Sequence, residues 1–130
     1  FKMVKSINTK VDLTVDATWF RGMPSYGKVM IGDKAFEFYN ERNIGDFVQI
    51  PWDEITYVVA DVRFRGKYIP RFEIRTRRSG NFIFASKDVK KTLRAIRNYV
   101  PAEHMRKSLS LWKGLIQNFQ RSVKKITKKN

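Results

Sequence analysis

Between Ile55 and Arg77 the chain alternates with a period of two. Val58, Ala60, Val62 and Phe64 fall on one side; Tyr57, Val59, Asp61 and Arg63 fall on the other. The next run keeps the same parity, with Phe72, Ile74 and Thr76 against Arg71, Glu73, Arg75 and Arg77. Such alternation predicts two half-buried antiparallel strands. A three-residue turn at Arg65-Gly66-Lys67 keeps even positions opposite even ones, the register both apolar faces require. It also places Asp61 opposite Arg71. The outward row then reads as a positively charged plate of Arg63, Arg65, Lys67, Arg75 and Arg77, part of it neutralised from within. A second turn at Arg78-Ser79-Gly80 puts Phe82 and Phe84 on the core face.

The remaining elements follow from the same reading. Residues 11–18 alternate as a first strand. The stretch Trp19 to Gly27 holds two glycines and a proline and is expected as an irregular loop. Its aromatics, Trp19, Phe20 and Tyr26, either close one end of a barrel or form a contact surface. Residues 28–31 and 35–40 form a hairpin around Gly32-Asp33-Lys34, and 47–51 a short strand whose Pro51 suits an edge. Ser86 is the expected N-cap of a helix, with Asp88 in the first turn where the helix dipole favours an anion. Val89, Leu93, Ile96 and Val100 recur at helical spacing until Pro101 stops the helix. The basic side of that helix reads as solvated surface. The fold class is α+β, mainly β: a bent antiparallel sheet or split barrel of about seven strands capped by the 87–100 helix. Residues 1–101 make that domain; 102–130 are expected as a hinge followed by a helical tail.

The tail separates into two faces. Leu109, Leu111, Trp112, Leu115, Ile116, Phe119, Val123 and Ile126 share one arc of a helical wheel. Lys113, Gln117, Gln120, Arg121, Lys124, Lys125 and Lys128 fill the other. A helix this short is marginal alone in water, and Gly114 weakens it by about 1 kcal/mol relative to alanine. It needs support from its own domain or a second copy, from an anionic membrane, or from a groove in a partner protein.

Charge narrows the classes of partner. Over 130 residues the formal net charge is +15, and the last thirty residues hold eight basic side chains against the single acidic Glu103. Such a field favours nucleic acid, acidic lipid or an acidic protein face. No apolar run approaches the roughly 18 residues that span a bilayer, and Phe1 to Lys10 lacks a signal-like stretch. Cysteine is absent, which excludes disulfides and thiolate metal sites. The only histidine, His104, is expected as an exposed hinge residue without a metal-type partner at i+4. Asp53 and Glu54 are adjacent, so their side chains diverge instead of pairing as acid and base. The glycines form neither G-x-G-x-x-G nor a P-loop. No catalytic residue, metal site or cofactor is expected.

Several segments resemble known families. The strand order with a helix beginning near Phe82-Ile83-Phe84-Ala85-Ser86-Lys87 resembles the PH-like superfold in its bacterial and GRAM-type forms. So do Ile50-Pro51-Trp52-Asp53-Glu54-Ile55, Phe72-Glu73-Ile74-Arg75-Thr76 and Gly80-Asn81-Phe82. Over roughly residues 6–110 a more specific set is similar to the ManO-like family: Asn8-Thr9-Lys10-Val11-Asp12-Leu13, Ile31-Gly32-Asp33-Lys34-Ala35-Phe36-Glu37-Phe38-Tyr39, Ile69-Pro70-Arg71-Phe72 and Leu93-Arg94-Ala95-Ile96-Arg97-Asn98-Tyr99-Val100-Pro101. These are small proteins of Gram-positive bacteria encoded beside the mannose-class sugar phosphotransferase permease. The resemblance implies a cytoplasmic accessory or regulator of that system; with the arginine row and the amphipathic tail, the expectation is a protein peripheral at the inner face of the cell membrane, with the permease membrane subunits as partners. The resemblance supplies no catalytic residues. Combined with the charge pattern, it makes Trp112, Leu115, Ile116 and Phe119 the expected apolar contact, and Arg121, Lys124, Lys125 and Lys128 the electrostatic attraction. Arg63, Arg65, Lys67, Arg75 and Arg77 would orient the domain. Two other readings remain open: a nucleic-acid-binding regulator of sugar-transport genes, and a sensor of the phosphorylation state of the soluble sugar-transfer proteins. The sequence sets neither the oligomeric state nor the permease surface touched.

Overall fold

In the computed structural model, which describes residues 5–108, eight strands form one open mixed sheet. They are β1 (Val11–Arg21), β2 (Met23–Gly32), β3 (Ala35–Asn40), β4 (Phe47–Pro51), β5 (Ile55–Arg63), β6 (Tyr68–Thr76), β7 (Asn81–Ser86) and β8 (Met105–Ser108). The order across the sheet is β4-β3-β2-β1-β7-β6-β5-β8, antiparallel throughout except for the parallel pair β5 and β8. One α-helix, α1 (Val89–Arg97), separates β7 from β8.

A single sheet with one apolar face must curl to hide it. Phe36 on β3 and Phe72 on β6 are four strand spacings apart in the sheet order, roughly 19 Å if the sheet were flat. Their ring centroids are 6.2 Å apart. The two halves therefore face each other across a core of Val29, Ile31, Phe36, Phe38, Val58, Phe72, Ile74 and Phe84, and Ile96 and Val100 close it from the helical side. Phe84 is the hub: the rings of Trp19, Phe36, Phe38, Phe72 and Phe82 all lie within 6.5 Å of its centroid. The expected register of β5 and β6 is present over most of its length, with Val58 opposite Ile74, Ala60 opposite Phe72 and Asp61 opposite Arg71.

Three expectations change. The stretch 19–27 is a hairpin and not an irregular loop: β1 runs on to Arg21, Gly22 turns with φ 75°, and Arg21 pairs with Met23. The proline there pairs opposite Phe20 without interrupting the ladder. The expected hinge adds an eighth strand: after a 3₁₀ turn at Ala102–His104, β8 pairs Met105 with Val58 and Lys107 with Ala60. Finally, the helix N-cap is Asp88, whose carboxylate accepts from the Lys91 N–H at 3.4 Å, while Ser86 ends β7 and donates to the Thr92 hydroxyl at 2.9 Å.

Two quoted sequence segments, 8–13 and 31–39, meet at the β2–β3 turn. The Asn8 side chain accepts from the N–H groups of Lys34 and Ala35, both at 2.8 Å, and donates to the Ala35 carbonyl and to Glu37. Asp33 accepts from the Thr9 hydroxyl and from the N–H groups of Thr9 and Lys10 at 2.9 and 3.0 Å. These bonds, led by the Thr9 hydroxyl, lower the Asp33 pKa to about 2. A carboxylate depressed in the folded state adds stability above its ordinary value near 3.8, and that stability is lost as the pH falls toward about 2. Acid titration of the folded protein is expected to release residues 5–10 in that window, seen as faster amide exchange at Thr9 and Lys10. In Asp33→Asn this pH dependence should be absent at Thr9 and Lys10, while Ser6, Ile7 and Asn8 stay tied to the Glu37 carboxylate.

Candidate functional site

The outward row of β5 and β6 is not a continuous positive plate. Its middle is buried: Asp61 is 0 % and Glu73 8 % exposed, with Val59 beside them. Arg63 folds over Asp61, with Nε 3.1 Å from Oδ1, and Arg75 reaches Glu73 at 2.6 Å. Each pair lies two residues apart on one strand, the spacing that brings side chains to the same face. Arg71 lies half-buried between these pairs, its guanidinium 5.4 Å from the Phe20 ring, and burial lowers its pKa while Asp61 opposes that shift. The free positive charge is thereby pushed to the two ends of the hairpin. Arg65 and Lys67 are exposed at the turn, and Arg77 at the far end; none of the three has an ion pair among the described residues. The nine residues of β6 at about 3.3 Å each separate the two clusters by roughly 30 Å.

The turn itself departs from the expected three-residue loop. β5 ends at Arg63, which pairs with Tyr68, so four residues reverse the chain. Phe64, Arg65 and Gly66 have φ of 51°, 56° and 89°. The left-handed region suits glycine but costs an L side chain about 1–2 kcal/mol per residue. Phe64, expected on the core face, is 75 % exposed and leans on Tyr68, itself 54 % exposed, with centroids 6.5 Å apart. Parity alone misses this, because alternation holds only while the backbone stays extended. The signal available was compositional: aromatics and cations interleave through Arg63-Phe64-Arg65-Gly66-Lys67-Tyr68. Beside the turn, a hollow of about 340 Å³ is lined by Lys67, Tyr68, Asp88 and Lys90 among others.

The ionisable groups elsewhere serve the fold. His104 is half-buried and not an exposed hinge residue: Nδ1 sits 2.7 Å from the Thr56 carbonyl oxygen and the ring stacks on Tyr57 at 5.4 Å. Glu54 points to Arg78 at 3.8 Å while Asp53 is exposed. Glu37 is fully buried and accepts from the Ser6 hydroxyl, the Ile7 N–H, Asn8, the Tyr39 hydroxyl and Gln49. Burial first, and then the bond to Glu37, push the Tyr39 pKa up to about 12. Tyr99 stacks on Trp52 at 4.9 Å, and its bond to Asp12 likewise raises its pKa to about 12. Among the described residues, no three His, Asp or Glu side chains gather as metal ligands, and no helix is long and apolar enough to cross a membrane. The expected tail contacts, Trp112, Leu115, Ile116, Phe119, Arg121, Lys124, Lys125 and Lys128, lie outside the described residues.

The fold is similar to the crystal structure of the C-terminal domain of an unknown protein from Leishmania infantum. The TM-score is 0.60 at 12 % identity, covering 69 % of this chain and 83 % of that one. At that identity the likeness concerns the fold alone. No curated protein matches the sequence. A family model described as a domain of unknown function (DUF956) matches residues 3–119, from the N-terminal segment through all eight strands and on to Phe119. The chain belongs to the DUF956 family.

Proposed function

We propose that this protein is a non-catalytic accessory or regulatory protein of the mannose-class sugar phosphotransferase system, docking to the permease at the cytoplasmic membrane surface. The observation that carries the docking is the distribution of charge. The full chain carries a net +15, and the scaffold's buried carboxylates engage Arg63 and Arg75, so that Arg65, Lys67 and Arg77 are left as outward cations at the ends of the β5–β6 hairpin. Cations held near an anionic leaflet contribute on the order of 1 kcal/mol each. The choice of system rests on the sequence resemblance to the ManO-like family. A PH-like identity for the domain fits the curled sheet with one helix across it.

In this reading Trp112, Leu115, Ile116 and Phe119 make the apolar contact. Arg121, Lys124, Lys125 and Lys128 add attraction, and the hairpin cations set orientation. The family match ends at Phe119, so the four apolar positions fall inside it and the four basic ones beyond it. Flotation of the full chain with acidic liposomes tests the tail. Removal of residues 109–130, or Trp112→Ser with Phe119→Ser in the full chain, is expected to abolish most of the association. Unchanged flotation in both would overturn the tail's role.

The exposed aromatic pair Phe64 and Tyr68, set among cations, favours one second reading, a nucleic-acid-binding regulator, because aromatic rings beside cations stack bases. Sub-micromolar binding of RNA or DNA with a steep salt dependence would put that reading first.

A further inference from the structure

We propose that the β5–β6 turn is a membrane-contact wedge, with Phe64 and Tyr68 entering the interface of an anionic bilayer between the cations Arg65 and Lys67. This deepens the membrane-docking reading and rests on it. It assigns a contact separate from the tail.

Three observations converge on this turn. Phe64 is 75 % exposed where strand parity would have buried it, and the backbone adopts positive φ at Phe64 and Arg65 to hold it there. Among the aromatic rings of the described residues, Phe64 meets only Tyr68 and none of the core phenylalanines. A strained, exposed aromatic is an arrangement the fold alone does not call for. Second, the aromatic pair is flanked by cations without carboxylate partners among the described residues, Arg65 and Lys67. Lys90 borders the same hollow; its one anion, Asp88, is held as the cap of α1. Third, the chemistry is that of an interface: aromatics settle at headgroup depth while cations meet the lipid phosphates.

The geometry favours a surface over a nucleic-acid strand. A strand needs a continuous cationic track, and here Asp61 and Glu73 interrupt the row that joins the turn to Arg77. A projecting turn reaches a plane with no such track.

The chain has no cysteine, so Phe64→Cys gives one labelling site for an environment-sensitive fluorophore. Met23→Cys, at the 82 % exposed tip of the β1–β2 hairpin, is the control. On phosphatidylserine-containing vesicles the label at position 64 is expected to shift to the blue and brighten, with little change on phosphatidylcholine alone or at position 23. In the unlabelled full chain, Phe64→Asn is expected to weaken vesicle binding about tenfold or more, the partition of one phenyl side chain. The same change should raise the melting temperature, because asparagine accepts positive φ more readily. A purely structural role would move both readouts downward together. A label at position 64 that ignores vesicles to which the chain nonetheless floats would overturn the wedge and leave the docking reading standing. Failure of the chain to bind vesicles at all would overturn the wedge and direct lipid contact together, leaving docking to the permease protein alone. A shift caused by single-stranded RNA, and not by vesicles, would also overturn the wedge.

Discussion

Phe84→Ala is expected to lower the unfolding free energy by about 3–5 kcal/mol, the cost of removing a buried phenyl ring and leaving its cavity. Phe84 is fully buried on β7, next to β1 and β6 in the sheet. Its ring also meets Phe36 at 5.0 Å and Phe38 at 5.7 Å from the opposite half of the curl. Removing it takes away the surface on which both halves close, and five neighbouring rings cannot all shift inward together. Since domains of this size are stable by about 5–15 kcal/mol, the variant should be marginal. Urea unfolding followed by tryptophan fluorescence reports it directly, because Trp19 stacks 6.3 Å from Phe84. A loss under about 1 kcal/mol would mean that the sheet does not close around this ring.

Glu37→Leu is the second large effect, expected at about 2–6 kcal/mol. The buried carboxylate is the shared acceptor for five donors. Those on Ser6, Ile7 and Asn8 can turn to water once the N-terminal segment lifts away. Tyr39 and Gln49, half-buried on the strands beneath, also lose their bonds to the charged acceptor, at roughly 1–3 kcal/mol for each. The signature is therefore regional. Residues 5–10 should lose amide protection and become open to proteolysis while β5 to β7 keep theirs. Glu37→Gln, which retains one acceptor oxygen, should fall between wild type and leucine. Uniform loss of protection across the sheet would show that Glu37 supports the core as a whole and not the N-terminal clip.

The pairing of β5 with β6 was legible from parity: Tyr57 to Asp61 meet Arg75 to Arg71 in the implied register, which slips by one at Ile55. The wetness of the outer face was not, since Val59, Asp61 and Glu73 are buried there as well. Val89, Leu93, Ile96 and Val100 likewise announced a helix against the core. Alternation failed at backbone reversals. Phe64 keeps the parity of Val62, but positive φ at the turn swings it outward. The Trp19 to Gly27 stretch looked irregular because glycine and proline usually break strands. Here Gly22 makes the turn of a hairpin, and the flanking residues pair across it. Strand β8 was hidden for another reason: four residues, two of them cations, carry too little apolar pattern to signal a strand, and the pairing comes from the open edge of β5.

For the candidate site, the arginine row was legible and its continuity was not. Asp61 and Glu73 were visible as outward carboxylates. Only the structure shows that Arg63 and Arg75 lean back two residues to cover them, leaving the turn and the far end as the free cations. The quoted segments 8–13, 31–39 and 93–101 turn out to hold each other in place through Asn8, Asp33, Glu37 and the contacts of Tyr99 with Trp52 and Asp12. They secure the fold, and the proposed docking rests instead on the cations and the exposed aromatics.

The most direct measurement compares retention of the full chain on inside-out membrane vesicles with and without the mannose-class permease, at physiological salt. The account predicts stronger retention on permease-containing vesicles, reduced when Arg65, Lys67 and Arg77 are changed together to glutamine. Equal retention on both kinds of vesicle, or retention indifferent to those three cations, would contradict it.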